Sequence, residues 1–125
     1  MTANIHSMSK IYCNEYKMKQ AILNILMNAI DAMEDIGGIL EVKLFELGDR
    51  VRLEIIDTGT GISKDNLDKI FHANFTTKGI KGTVLGLKIS KTIFEEYGGR
   101  IEVRSQVGKG TRFIVHLPIG DNFKN

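Results

Sequence analysis

The sequence predicts an α+β domain. The expected form is a two-layer sandwich, with a mixed, mostly antiparallel sheet of about five strands and three helices on one face. Three observations predict it. Four segments alternate apolar and polar residues with a period of two, and two long segments repeat apolar residues at the helical period. Glycines gather at 37–38, 59–61, 79–86, 98–99 and 108–110, at the borders between those segments. Strands and helices of this kind bury their apolar faces by stacking as layers.

Taken in order, residues 1–13 are weakly patterned and read as an edge strand. Residues 16–34 read as a long helix, with Met18, Ala21, Ile22, Ile25, Leu26, Ala29, Ile30 and Met33 apolar and Gly37-Gly38 closing it. So apolar a helix is expected to be buried on most sides. "ILEVKLFEL" (39–47) and "VRLEIID" (51–57) read as strands joined by a turn at Gly48-Asp49. A short helix is expected over 64–71, opened by Ser63 as N-cap, and a second long helix from about Leu85 to Tyr97, stopped by Gly98-Gly99. "RIEVRS" (100–105) and "TRFIVHLP" (111–118) read as two more strands joined at "QVGKG".

The chain's 125 residues suffice for one domain, 1–125, and are too few for two. Seventeen basic residues against fifteen acidic ones leave +2, and the basic residues do not cluster, so no nucleic-acid partner is expected. No apolar run approaches membrane-spanning length, so no membrane contact is expected of this domain. The single cysteine, Cys13, excludes an internal disulfide and a cysteine-built zinc site, and reads as a small buried hydrophobe. Asn74-Phe75-Thr76 fits a glycosylation sequon, but with no secretion signal it reads as chance. A cytoplasmic, reducing setting is expected.

Three stretches carry chemistry. In "QAILNILMNAIDAM" (20–33), Gln20, Asn24 and Asn28 are four apart and form one polar stripe on the helix. Such amides either cap neighbouring backbone inside the core or serve as hard oxygen ligands for a magnesium ion holding phosphates. In "EIIDTGTGIS" (54–63), a strand runs into Asp57, followed by Gly59 and Gly61. A carboxylate at a strand end followed by two glycines lets bare backbone approach a flat ligand while the carboxylate accepts a hydrogen bond from it. A plain Asp-Thr-Gly turn is the alternative. In "FHANFTTKGIKGTVLGLKIS" (71–90), two threonines, Lys78, Lys81 and three glycines precede a helix N-terminus. That combination favours phosphate, although a solvated Gly/Lys loop has the same composition. Neither a Walker nor a dinucleotide-binding glycine motif occurs.

In order and spacing, these stretches resemble the catalytic, ATP-binding domain of bacterial sensor histidine kinases, within the wider GHKL (Bergerat-fold) ATPase superfamily. The N box is "NILMNAIDAM", the G1 box "DTGTGI", the F box "IFHANFTTK" and the G2 box "GTVLGL", and "VGKGTRFIVHLP" is similar to the family's last two strands. "NAIDAM" followed by two glycines, and "FTTK", are most similar to nitrogen-regulation and sporulation-type kinases. The resemblance covers about residues 14–118.

The cofactors it implies are ATP and Mg²⁺. Asn28 would ligate the metal, with Asn24 one turn earlier supporting it. Asp31, where kinases often carry a lysine, and Ala32 would lie beside the nucleotide. Asp57 would accept a hydrogen bond from the adenine amino group, and Gly59, Gly61 and Ile62 would shape that pocket. Phe71 and Phe75 would anchor a mobile lid running to about Gly86. Thr76, Thr77 and Lys78, with Gly82, Thr83, Val84, Leu85, Gly86 and Leu87, would face the phosphates. Thr111 would lie near the adenine.

Superfamily members such as DNA gyrase carry a glutamate one turn before the metal asparagine to activate water. Here that position is Asn24, an amide that is no base. Phosphoryl transfer needs positioning, a metal and an oriented nucleophile, whereas hydrolysis needs a base for the water, so a kinase half-reaction is favoured. Family acceptor histidines are usually followed by an acid, but the three here read His6-Ser7, His72-Ala73 and His116-Leu117. The expected partner is therefore a separate phosphoacceptor and dimerisation domain, with a response regulator acting indirectly. Such a domain would be the ATP-binding part of a larger sensor kinase, soluble or the cytoplasmic portion of a membrane-bound one. A nucleotide-binding module without phosphotransfer and an anti-sigma-type serine kinase are the alternatives. Two departures bear on activity. His72, Ala73 and Asn74 replace the family's acid, proline and aromatic, and Val84 replaces a glycine. A positive φ at Val84 would cost roughly 1–2 kcal/mol, whereas a negative φ would leave only its methyls crowding the phosphates.

Overall fold

The computed structural model describes residues 14–71 and 83–118, with the backbone alone for 83–86. The elements run α1 (Glu15–Ala32), β1 (Leu40–Leu47), β2 (Arg50–Asp57), α2 (Lys64–Leu67), α3 (Thr83–Glu96), β3 (Arg100–Gln106) and β4 (Gly110–Pro118). Among the described residues they form one four-stranded sheet in the order β1-β2-β4-β3, with every pair antiparallel. The edge strand expected over residues 1–13 lies outside the described residues.

Period-two alternation decides which side of the sheet is buried. Val51, Leu53, Ile55 and Asp57 of β2, and Thr111, Phe113, Val115 and Leu117 of β4, are buried on one face. Against that face pack Met18, Ala21, Ile25 and Ala29 of α1 and Leu87, Ile93 and Phe94 of α3. Each fully buried Leu, Ile or Phe contributes about 1.5–3 kcal/mol of transfer free energy. The two helices are tied by the Ser90 hydroxyl, which donates to the Ala21 carbonyl at 2.8 Å with no exposure of Ser90. The start of α1 is capped by Asn14, whose Oδ1 accepts from Lys17 N at 3.1 Å, and the Asn14 amide donates to the Tyr97 hydroxyl at the end of α3.

Helix α1 is not buried on most sides. Leu23 is 54% exposed, Ile30 48% and Met27 41%, while Gln20 is exposed and Asn24 and Asn28 are half-buried. The reason is geometric: a helix on a single sheet buries one stripe plus the flank facing its neighbour. Here that stripe is Met18, Ala21, Ile25 and Ala29. Helix α2 ends at Leu67 rather than 71. Asp68 is its C-cap, and Asn66 and Asp68 carry short side chains that compete for backbone hydrogen bonds. Helix α3 begins at Thr83, two residues earlier than expected, so Val84 is helical. Among the described residues no non-glycine residue has positive φ. Left-handed strain at Val84 is therefore excluded.

The opposite face of the sheet is charged and closely paired. Glu54 is only 6% exposed, with Arg52 Nε at 3.0 Å and Arg112 Nη1 at 3.3 Å from its two oxygens. The Arg52 guanidinium also lies 4.7 Å from the centroid of the Phe45 ring. His116 sits between Arg52 and Arg100 in the cross-strand register, and its Nε2 is 3.2 Å from Glu102 Oε1. Burial holds the imidazole below its ordinary value of 6.5, reinforced by Arg100 and Arg50 and opposed by Glu102.

A histidine whose folded pKa is depressed takes up its proton first in the unfolded chain, so stability is lost as pH falls through about 6.5. The urea midpoint is expected to fall from pH 8 to pH 5 more steeply in the wild type than in His116→Gln. Parallel pH profiles for the two proteins would refute this role.

Candidate functional site

The site is built where β2 ends and β4 begins. Because the two strands pair antiparallel, Asp57, the last residue of β2, lies opposite Thr111 near the start of β4, and both side chains fall on the buried, helix-bearing face. Asp57 is 2% exposed. One carboxylate oxygen, Oδ1, accepts from the Gly59 amide at 2.8 Å, while the other, Oδ2, is buried without a hydrogen-bond partner. Burial raises the Asp57 carboxyl above its ordinary value, and the backbone amides of Gly59 and Thr111 pull it only partly back. A buried acceptor left unmatched costs about 1–3 kcal/mol.

The loop after Asp57 is pinned on both sides. On one side Thr60 N donates to the carbonyl of Ala32, the last residue of α1, at 3.2 Å. Gly59 lies so close there that a Cβ would stand 2.6 Å from that same carbonyl oxygen. On the other side, Gly108 N donates to Thr60 O at 2.9 Å and Ile62 N donates to Ser105 Oγ at 2.7 Å. Gly61 has φ +78°, and a Cβ on it would collide with the Gln106 carbonyl oxygen. The glycines of "DTGTGI" thus let the loop lie flat against α1 and the β3–β4 turn. Asn28 stands four residues before Ala32 on the same flank of α1, which brings the half-buried amide to the side of the helix that the loop touches.

The family model described as "Histidine kinase-, DNA gyrase B-, and HSP90-like ATPase" matches residues 13–121. The chain belongs to that family. It is 41% identical over 118 residues to the sensor histidine kinase ZraS of Escherichia coli K12, a match covering 94% of this chain and 25% of that protein. It is 40% identical over 119 residues to sporulation kinase E of Bacillus subtilis 168, covering 94% of this chain and 16% of that one. The chain thus spans a quarter or less of these curated relatives. Among solved structures, it superposes on a nucleotide-free form of the catalytic domain of histidine kinase ThkA with a TM-score of 0.77, at 30% identity. That likeness covers 90% of this chain and 72% of the other. The kinship and the GHKL Bergerat fold inferred from the four boxes are both borne out, and the similarity to sporulation kinases fits as well.

Within this family domain, the N-box helix, the G1 loop and Thr111 come together as described. Asn24, Asp31 and Ile62 are half-buried around that assembly, and Phe71 packs against the core. Phe75, Thr76, Thr77, Lys78 and Gly82 lie outside the described residues. Thr83, Val84, Leu85 and Gly86 form the first turn of α3, and Leu87 is a core residue of that helix. Among the described residues no group of three or more His, Cys, Asp or Glu is placed to hold a metal ion, and no helix is long and apolar enough to cross a membrane.

Sequence reasoning passed over Ser105. Its hydroxyl accepts from Ile62 N, donates to the Gly110 carbonyl at 2.8 Å and lies 2.8 Å from Thr111 Oγ1. Counting register outward from the "VGKG" turn pairs Ser105 with Thr111, and that signal was present in the sequence.

Gly61→Ala is expected to lose the roughly 1–2 kcal/mol of a left-handed alanine plus the cost of moving Gln106. Gly108→Ala, at φ +84° with open space around it, should lose only the first part. Equal losses for the two variants in urea denaturation would mean that the Gly61–Gln106 contact carries no weight.

Proposed function

We propose that this domain binds ATP with Mg²⁺ and supplies the γ-phosphoryl group for a histidine on a separate phosphoacceptor and dimerisation domain. A response regulator would act downstream, and the setting would be cytoplasmic. One observation carries the reading: the buried, partnerless Oδ2 of Asp57 at the end of β2, with a bare-backbone loop beside it. An adenine amino group supplies the missing N–H, and its ring fits a surface from which Gly59 and Gly61 have removed side chains.

The chain's residues divide the work. Asp57 holds and orients the base, Thr111 borders it, and the α1–loop contact through Ala32 fixes Asn28 relative to the base site. Asn28 offers an amide oxygen, a hard ligand of the kind Mg²⁺ accepts when phosphates and water complete its shell. When bound, the ion would neutralise charge on the phosphates. Asn24 carries an amide where water activation would need a base, which favours transfer to an acceptor over hydrolysis. The half-buried Asp31 would stand beside the nucleotide.

Calorimetric titration with a non-hydrolysable ATP analogue, with and without Mg²⁺, tests the assignment. The wild type is expected to bind more tightly with Mg²⁺, and Asn28→Ala to lose about tenfold of that gain while keeping its Mg²⁺-free affinity. An unchanged Mg²⁺ dependence in Asn28→Ala would remove Asn28 from the metal site. Addition of a phosphoacceptor domain should then yield acid-labile phosphohistidine, and strong autophosphorylation of the isolated chain would contradict the reading.

A further inference from the structure

Ser105 makes three short contacts with one hydroxyl, and their polarity can be worked out. A serine hydroxyl has one proton to donate and two lone pairs to accept with. The Ile62 amide can only donate, so it occupies one lone pair at 2.7 Å. The Gly110 carbonyl can only accept, so it takes the single proton at 2.8 Å. The contact at 2.8 Å to Thr111 Oγ1 is then satisfied in one sense only, with Thr111 donating its proton to the remaining lone pair of Ser105. The reverse sense would leave the Gly110 contact without a proton. Thr111 is 5% exposed and stands opposite Asp57 in the β2–β4 register. With its proton committed to Ser105, its oxygen has only lone pairs left to offer.

We propose that Ser105 is a positioning residue that fixes Thr111 as a hydrogen-bond acceptor, so that Thr111 Oγ1 and Asp57 Oδ2 together select a purine bearing an amino group and reject one bearing a carbonyl at the same place. This rests on the reading that the nucleotide base sits at Asp57. An exocyclic amino group carries two N–H donors and meets two acceptors. A 6-oxopurine would set its oxygen against both of them, and freeing Thr111 to rotate would let its hydroxyl donate to that oxygen. Ser105 also holds the Ile62 amide, so the same atom ties the shape of the base loop to the polarity of the site.

The test is the ratio of affinities for ADP and for inosine diphosphate, measured by calorimetry on the same domain with thermal melts run alongside. The wild type is expected to prefer ADP. Ser105→Ala should reduce that preference about three- to tenfold, the worth of one neutral hydrogen bond, through a gain for inosine diphosphate relative to ADP. Ser105→Thr, which keeps a hydroxyl, should retain the preference. Ser105→Ala added to Thr111→Val should shift the ratio no further than Thr111→Val alone. A Ser105→Ala protein that loses affinity for both nucleotides by the same factor overturns the inference and leaves Ser105 a loop brace. Should Ser105→Ala not fold, Thr111→Val decides, because an unchanged ratio there also overturns it. A wild type that binds neither nucleotide overturns the functional reading itself, a result distinguishable from the others.

Discussion

The antiparallel pairing of β2 with β4 is the constraint on which the rest of the site depends. It joins strands far apart in sequence, places Asp57 opposite Thr111, and turns both side chains toward the buried face. The loop leaving Asp57 then has one route available, between the end of α1 and the β3–β4 turn. Contacts at Ala32, Gln106, Ser105 and Gly108 follow from that route. A shift of one residue in the β2–β4 register would turn Asp57 to the charged outer face and dismantle the whole arrangement.

Holding a carboxylate at 2% exposure with one oxygen unmatched is unfavourable, and the fold tolerates it because the neighbouring core is well packed. Phe113, Val115 and Leu117 follow Thr111 along β4, and Val51, Leu53 and Ile55 precede Asp57 along β2, all buried on the same face. Among the described residues Arg52 Nε and His116 Nδ1 are also buried without a hydrogen-bond partner, but Asp57 Oδ2 is the unmatched oxygen that lies on the helix-bearing face beside the glycine loop. The outer face of the same sheet shows the contrasting solution. There the buried Glu54 has an arginine on each oxygen and awaits nothing.

Much of this was legible in the sequence, for identifiable reasons. Strands β1 to β4 announced themselves by alternation, and their bounds fell within a residue of expectation, because side-chain period is a local property. The DxGxG turn was legible because few residues other than glycine fit the contacts at 59 and 61. Strand order was not legible, since nothing local to β2 says that β4 rather than β3 lies beside it. The exposure of Leu23, Met27 and Ile30 was missed for the same reason, because composition counts apolar residues without knowing how many layers surround the helix. In the sequence Val84 stands where the family carries a glycine, which leaves the sign of its φ open, and only the early start of α3 at Thr83 shows that it is helical. Ser105 is an ordinary strand serine until the hairpin register sets it against Thr111.

The central claim is that the unmatched oxygen of Asp57 is held ready for a donor on the nucleotide base. The most direct measurement is the titration of the Asp57 carboxyl by carbon-detected NMR, without nucleotide and with saturating ADP. The account predicts a pKa above the ordinary carboxylate value in the free domain, lowered when the base amino group donates to the charged form. A carboxyl that titrates identically in the free and bound domain would contradict it.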